Sequence, residues 1–173
     1  MNVQNCVHGH AACSSKSIWG IVAYMQIDLN PSQCEEILKK NRYGHLGCID
    51  GDKPYVIPIT YVCKDGVLHG FSLGGRKIDI MRKNPNICIQ VEHIESQYEW
   101  ESVICWGLFE EITDPKSMQD TKLLIADLHG QAMVKNEKPP ISPIVRSWQK
   151  QIDESVVYRL KPTRITGKAE KKA

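Results

Sequence analysis

Hydrophobic and polar residues alternate along several short stretches of this chain, and a period of two is the pattern of β-strands. Turn sequences such as Asp50-Gly51 and Lys64-Asp65-Gly66 separate neighbouring stretches. Strands joined by turns this short have to run antiparallel. The pattern predicts six strands, at residues 45–49, 55–63, 67–73, 86–92, 99–112 and 155–166.

Three further segments carry the apolar spacing and the end signals of helices. Asn30-Pro31 opens the first, with the asparagine as its cap and the proline at the first helical position. The second follows Gly74-Gly75 and stops at Asn84-Pro85, and the third runs from Asp114-Pro115 to about His129. Because strands outnumber helices, we predict a mainly β fold, a six-stranded antiparallel barrel with short flanking helices.

The strand predicted at residues 55–63 is apolar on both of its faces. Because a sheet that faces water on one side shows one polar face, this strand is expected to be covered on both sides. The barrel interior would cover one face, and a ligand or a partner subunit would cover the other. Pro58 cannot donate a backbone hydrogen bond, which places it at an edge or an interruption of the sheet.

A glycine turn with two basic residues lies between the third predicted strand and the second predicted helix. Gly74-Gly75 permits a tight backbone bend, and Arg76 and Lys77 then fall on the first turn of a helix, where the dipole favours an anion. Arginine can grip phosphate with two hydrogen bonds, and lysine adds a point charge. The arrangement predicts a phosphate site, and the alternative is a solvated helix start.

Length, charge and cysteine content narrow the class of protein. A chain of 173 residues is long enough for one well-filled core, so a single domain is expected. A net charge of +2 gives no reason to expect nucleic-acid binding, and no apolar run is long enough to cross a membrane. The odd number of cysteines, seven, favours free buried thiols in a reducing cytoplasm.

Both ends of the chain are predicted to lie outside the barrel. Residues 1–25 are expected to form a poorly ordered tail, residues 26–167 the domain, and residues 168–173 a frayed end. This tail contains four residues of types that bind zinc, Cys6, His8, His10 and Cys13. Their spacing differs from that of structural zinc sites, so we favour a tail without metal over a small zinc site. The proline-rich residues 131–145 are predicted as a surface loop.

Seven separated motifs occur in this order: His45-Leu46-Gly47, Pro54 to Tyr61, Gly70-Phe71-Ser72-Leu73-x-Gly75-Arg76-Lys77-Ile78, Met81-Arg82-x-Asn84-Pro85, Trp100-x-Ser102-Val103, Gly107-x-x-Glu110-Glu111 and Tyr158-Arg159-Leu160. Over about residues 26–167 they resemble the motifs of the pyridoxamine 5′-phosphate oxidase-like family of FMN-binding split barrels. The resemblance implies that the predicted barrel is a split β-barrel.

The resemblance also implies a homodimer that binds FMN in a groove at the subunit interface. The family's phosphate contacts fall on Arg76 and Lys77, with Ser72 nearby as a hydroxyl donor. Ser102 falls where the family places a polar side chain near the flavin of the dimer-related site. The implied cofactor-binding residues are Ile57, Pro58, Ile59, Thr60 and Tyr61 on the ring-facing strand, and Phe71, Ser72, Arg76, Lys77 and Ser102.

The activity implied by the resemblance is that of an FMN-dependent oxidoreductase that passes electrons from a reduced nicotinamide to a small acceptor. Two alternatives stay open: a non-catalytic flavin- or haem-binding storage protein, and a deazaflavin-dependent reductase. The scattered histidines and the cysteines of the predicted strands form no legible pair of nucleophile and base. A flavin carries the redox chemistry itself, so we assign no catalytic residue and no metal ligand.

Overall fold

The computed structural model describes residues 23–134 and 155–172 and is mainly β, as predicted. Its strands are β1 (Tyr24–Asp28), β2 (Tyr43–Asp50), β3 (Lys53–Thr60), β4 (Val62–Lys64), β5 (Val67–Ser72), β6 (Asn86–Ser96), β7 (Glu99–Glu111) and β8 (Val156–Lys172). Its helices are α1 (Pro31–Lys40), α2 (Arg76–Lys83) and α3 (Pro115–Val134).

All strand pairs are antiparallel, and the strands follow the order β3-β2-β6-β7-β8-β5-β4, with β1 added beside β8. β3 and β4 are the two ends of this order, although only Tyr61 separates them along the chain. The sheet therefore curls round until its ends approach each other without pairing. This arrangement is an open, split barrel and confirms the predicted fold class.

The strand predicted at residues 55–63 is divided at Tyr61, which is one reason why the structure has eight strands and not six. The Tyr61 backbone N–H donates to the Arg42 carbonyl at 3.0 Å, and its hydroxyl donates to the Leu38 carbonyl at 3.0 Å. These two bonds anchor the residue at which the chain passes from one end of the sheet to the other. Alternation of apolar residues does not show such a break when both faces of the strand are apolar.

β1 is the other additional strand, and it changes the description of the C-terminal end. Residues 168–172, predicted as a frayed end, continue β8 and pair with Tyr24–Asp28. A partner so distant in the chain cannot be recognised from local alternation. Residues 1–22, with the Cys6 to Cys13 group, lie outside the described residues, as does the part of the predicted loop beyond residue 134.

The helix starts follow the predicted signals. Asn30 and Gln33 exchange two hydrogen bonds of 2.9 Å each and form a capping box at the start of α1, where Pro31 occupies the first position. α2 ends at Lys83, with Asn84 as its C-cap before Pro85. α3 continues to Val134, past its predicted end near His129. None of the helices in the described part of the chain combines the length and the apolar character needed to span a membrane.

The core fills the barrel interior, and one face of α1 and one face of α2 close it. The most deeply buried side chains there include Leu38, Leu46, Ile78, Ile89, Val91, Val103 and Leu160. Alternate residues of each strand point inward, which is why β2 buries Leu46 and Cys48 but leaves His45 exposed. The outer face of the sheet is consequently free to form a site.

An ion network on the outer side of β7 and β8 makes stability depend on pH. Hydrogen bonds from Arg159 and Lys161 hold the pKa of Glu110 at about 2, below its ordinary value of 4.5. A carboxylate with a lowered pKa contributes stability above its unfolded pKa, and that contribution is lost as the pH falls from about 4.5 towards 2. Because all three side chains are substantially exposed, solvent screening limits the contribution to about 1 kcal/mol.

Replacement of Glu110 with glutamine is therefore expected to make the free energy of unfolding depend less on pH below about 4.5. Urea unfolding at pH 7 should show a loss of about 1 kcal/mol, and at pH 3 the difference from the wild type should be smaller. Glu99→Gln, at an exposed position of the same strand, serves as the control. An equal loss at both pH values would contradict a contribution from the Glu110 charge.

Candidate functional site

The start of α2 is a backbone turn whose N–H groups have no side-chain cap. Gly75 is the N-cap residue and has a φ of +148°, a conformation that L side chains rarely adopt. Its carbonyl accepts the first helical hydrogen bond, from Asp79 N–H at 3.1 Å. The first N–H groups of a helix have no partner inside the helix, so this turn presents donors to an anion.

Lys77 lies half-buried on the first turn of α2, and burial lowers the pKa of its ammonium group. Among the described residues, no carboxylate lies within ion-pair distance of it. A partly desolvated ammonium group without a counter-ion is unfavourable, and a bound anion would remove that cost. Lys77 is therefore the strongest individual indication of an anion site.

Arg76 is held beside this turn by residues that the sequence did not single out. Its Nε and Nη2 atoms donate to Asp50 Oδ2 at 3.2 and 2.9 Å, and its guanidinium group lies 5.2 Å from the centre of the Tyr55 ring. Asp50 ends β2 and Tyr55 lies on β3, so the hairpin between these strands brings both to α2. The sequence pattern identified Asp50 only as a turn residue.

Ser72 and Phe71 occupy the last two positions of β5, on opposite faces of that strand. The Ser72 hydroxyl donates to the Leu73 carbonyl at 2.9 Å. Phe71 pairs with Val157 of β8 and is half-buried. Both residues are thus close in sequence to the glycine turn, and the serine oxygen retains the capacity to accept a hydrogen bond.

β3 is an edge strand, and its backbone groups alternate between β2 and the open edge. The Tyr61 N–H bonds to the carbonyl of Arg42, the residue just before β2. In an antiparallel pair the backbone groups of every second residue point the same way, so those of Ile57 and Ile59 also point towards β2. Val56, Pro58 and Thr60 direct theirs to the open edge, and Pro58 offers only a carbonyl there. These three residues present two N–H donors and three carbonyl acceptors at the open edge.

The side chains of the predicted ring-facing strand divide between the two faces of the sheet. Ile59 and Tyr61 are buried in the core, and Ile57 packs against it. Pro58 is exposed and Thr60 is half-buried on the outer face. Within the predicted segment, Pro58 and Thr60 have side chains on the outer face and backbone groups at the open edge, where a ligand could contact them. Ile57, Ile59 and Tyr61 pack in or against the core.

An open apolar groove of about 530 Å³ lies on the outer face of the sheet beside β3. Its lining includes Ile49, Pro54, Val56, Cys88 and Trp106. Val56 is 63% exposed, so the described part of the chain does not supply the predicted cover over this face of the strand. The groove is apolar enough to contact a planar ring or a second protein surface.

Ser102 lies apart from the α2 turn within one chain. It is on β7, with β6 and β2 between it and β3, and its Oγ accepts a hydrogen bond of 3.1 Å from Gln90 Nε2. The same nitrogen donates to Glu92 Oε2 at 2.7 Å. The structure therefore brings Arg76 and Lys77 together with Asp50 and Tyr55, but not with Ser102, whose place near a dimer-related site stays a prediction.

The conformation of Gly75 supplies a test of the turn. Gly75→Ala is expected to reduce the free energy of unfolding by about 1–3 kcal/mol, because alanine is strained at that φ. Gly74→Ala is the matched control, since an added Cβ there meets no atom within 4 Å. Urea unfolding of both variants measures the difference. Equal stabilities would show that the turn does not depend on this backbone conformation.

Comparison with known proteins identifies the family of this chain. A family model described as pyridoxamine 5′-phosphate oxidase matches residues 30–169. An uncharacterised protein of Rhizobium meliloti (strain 1021) is 33% identical over 84 residues, which are 49% of this chain and 56% of that protein. The chain thus matches little more than half the length of this relative.

Two solved structures share the fold. One, a FAD-binding protein from Mesorhizobium loti, is 26% identical, and the match covers 84% of this chain and 98% of that one with a TM-score of 0.67. The other, the flavocytochrome Anf3 from Azotobacter vinelandii, is 18% identical, and the match covers 82% of this chain and 68% of that one with a TM-score of 0.62. With the family model matched from the cap of α1 almost to the end of β8, the chain belongs to the pyridoxamine 5′-phosphate oxidase family.

Proposed function

We propose that this protein binds FMN and passes electrons from a reduced nicotinamide to a small acceptor. The observation that carries the proposal is Lys77, a half-buried ammonium group that has no carboxylate partner among the described residues, at a helix start that they do not cap. The flavin phosphate would occupy the turn at Gly75, where it would meet Lys77, Arg76 and the first N–H groups of α2. Ser72 is close enough in sequence to add a hydroxyl contact.

The open edge of β3 supports a flavin as the molecule attached to that phosphate. The pyrimidine side of a flavin ring carries two carbonyl oxygens with an N–H between them. An edge strand that offers N–H donors and a carbonyl acceptor complements this pattern. The apolar surface of Pro54, Val56 and Trp106 is suited to the rest of the ring system.

FMN, with its single phosphate, is the flavin that we propose, and FAD is the closest competitor. The Mesorhizobium loti relative is a FAD-binding protein by name, which supports a flavin as the ligand of this chain. The choice of FMN over FAD is our proposal. Chromatography of the flavin released on denaturation distinguishes the two directly. Release of FAD alone would contradict FMN and leave the phosphate site in place.

A homodimer is part of the proposal, because the outer face of the sheet is apolar beside the groove and the described residues of one chain leave it uncovered. Val56, Leu108 and Ile49 are 63%, 44% and 42% exposed beside the groove. A second copy laid over this face would bury them and would bring its own Ser102 towards the flavin. Light scattering measures the assembly, and a monomer that retains flavin would contradict the shared site.

The chemistry assigned to the chain itself is binding and electrostatics. A bound flavin supplies the electron transfer, and the protein positions it and excludes water from one side of it. Lys77 and Arg76 neutralise the phosphate, and the β3 edge orients the ring. The five described cysteines are all free thiols, which fits the proposed location in a reducing cytoplasm.

One experiment tests binding and activity in sequence. Purified protein is titrated with FMN, and the complex is then mixed anaerobically with NADPH or NADH. Bleaching of the flavin band at about 450 nm, followed by its return with an added quinone or nitroaromatic acceptor, supports the oxidoreductase. FMN binding without bleaching would favour storage, a haem spectrum would favour the haem alternative, and no binding of FMN would overturn the proposal.

A further inference from the structure

We infer that Asp50 is a positioning residue for the phosphate site, because it holds Arg76 with one edge of the guanidinium group free for a ligand. This inference rests on the proposed function and adds a residue to it. Asp50 would not touch the phosphate. It would act through Arg76, from the turn that joins β2 to β3.

The contacts leave the guanidinium group able to bind a second anion. Both Arg76 hydrogen bonds to Asp50 come from one side of the group, Nε and Nη2, and both end on the same oxygen, Oδ2. A guanidinium group has five N–H donors. Both Nη1 hydrogens and the second Nη2 hydrogen therefore remain. One Nη1 hydrogen and this Nη2 hydrogen form the end-on fork that can grip phosphate with two bonds.

Tyr55 restricts the remaining freedom of Arg76. The guanidinium carbon of Arg76 lies over the Tyr55 ring, 5.2 Å from its centre, so the group is held both by Asp50 along one edge and by this ring. The Arg76 side chain is otherwise 70% exposed. An exposed arginine that binds a ligand loses rotamer freedom, and here Asp50 and Tyr55 have already removed much of it.

The charge of Asp50 opposes this effect, so the two contributions have to be separated. A carboxylate near the site repels phosphate, but its negative charge is balanced directly by Arg76. The described residues place no carboxylate against Lys77 and no side-chain cap on the helix start. Positioning is therefore the stronger of the two effects. Asp50→Asn removes the charge and keeps one oxygen acceptor, while Asp50→Ala removes both.

The test compares FMN with riboflavin, which has the same ring and no phosphate. Fluorescence quenching gives the dissociation constant of each ligand for the flavin-free wild type, Asp50→Ala, Asp50→Asn and Asp52→Ala. Asp52 lies exposed in the same turn and is the matched control. We expect Asp50→Ala to weaken the binding of FMN about tenfold and that of riboflavin less than about twofold. The FMN affinity of Asp50→Asn should lie between those of Asp50→Ala and the wild type, and Asp52→Ala should leave the affinity for both ligands unchanged.

A double-mutant cycle separates positioning from a general loss of structure. In an Arg76→Ala background, Asp50→Ala should no longer weaken FMN binding, because Asp50 positions the phosphate only through that arginine. The carboxylate is unbalanced in that background, so its removal should leave the FMN affinity equal or slightly higher. Unchanged or tighter FMN binding by the single variant Asp50→Ala would overturn the inference while the proposed function stands. A wild type that binds FMN no better than riboflavin would overturn the phosphate site and the inference together.

Discussion

Lys77→Met is expected to weaken FMN binding about 100-fold, equivalent to about 2.7 kcal/mol. Methionine keeps the apolar stem of the side chain and removes the ammonium group, which is half-buried and has no carboxylate partner in the described residues. Riboflavin binding should change little, since riboflavin lacks the phosphate. Titration of the flavin-free variant with each ligand measures both effects.

The same substitution is expected to stabilise the flavin-free protein slightly. Burial lowers the pKa of Lys77, so the folded state disfavours its charged form, and removal of the charge removes that cost. Lys83→Ala, in the exposed last turn of α2, is the control and should alter neither affinity nor ligand preference. An unchanged FMN affinity in Lys77→Met would exclude this turn as the phosphate site.

Gly107→Ala is expected to have the largest effect on stability, a loss of about 3 kcal/mol or more. A Cβ at this position would lie 2.3 Å from the Lys161 carbonyl oxygen and 2.7 Å from Leu160 Cδ2. Gly107 also lies where the register of β7 and β8 shifts, so the clash falls on backbone that pairs the two longest strands. Urea unfolding measures the loss.

Gly47→Ala is the comparison for this substitution. An added Cβ there would lie 2.8 Å from Cys88 Sγ, a side-chain atom that can rotate away, so a smaller loss is expected. If the free energy of unfolding of Gly107→Ala remained within about 1 kcal/mol of the wild-type value, β7 and β8 would not approach each other this closely at Gly107.

Local signals were sufficient to predict the elements but not all of their limits. The Asn30 cap, Pro31 and the glycine turn before Arg76 act within one turn of helix, so sequence alone located the starts of α1 and α2. The division of β3 from β4 and the pairing of β1 with β8 depend on contacts distant in the chain. Those contacts leave no local pattern.

The candidate site shows the same division. Arg76 and Lys77 were predicted because the residues that make them suitable are their immediate neighbours. Asp50 and Tyr55 were missed because the β2–β3 hairpin brings them to α2 only in the folded protein. The faces of residues 57–61 could not be assigned from the sequence, since both are apolar, and the structure places Ile59 and Tyr61 inside.

β8 governs when this protein can fold. It pairs with β1, β5 and β7, and it is the last described element to leave the ribosome. The hydrogen bond between Gln26 and Glu170 joins residues 144 positions apart. Barrel completion must therefore wait until synthesis has passed residue 172, and until then the nascent chain carries β1, β5 and β7 without this partner.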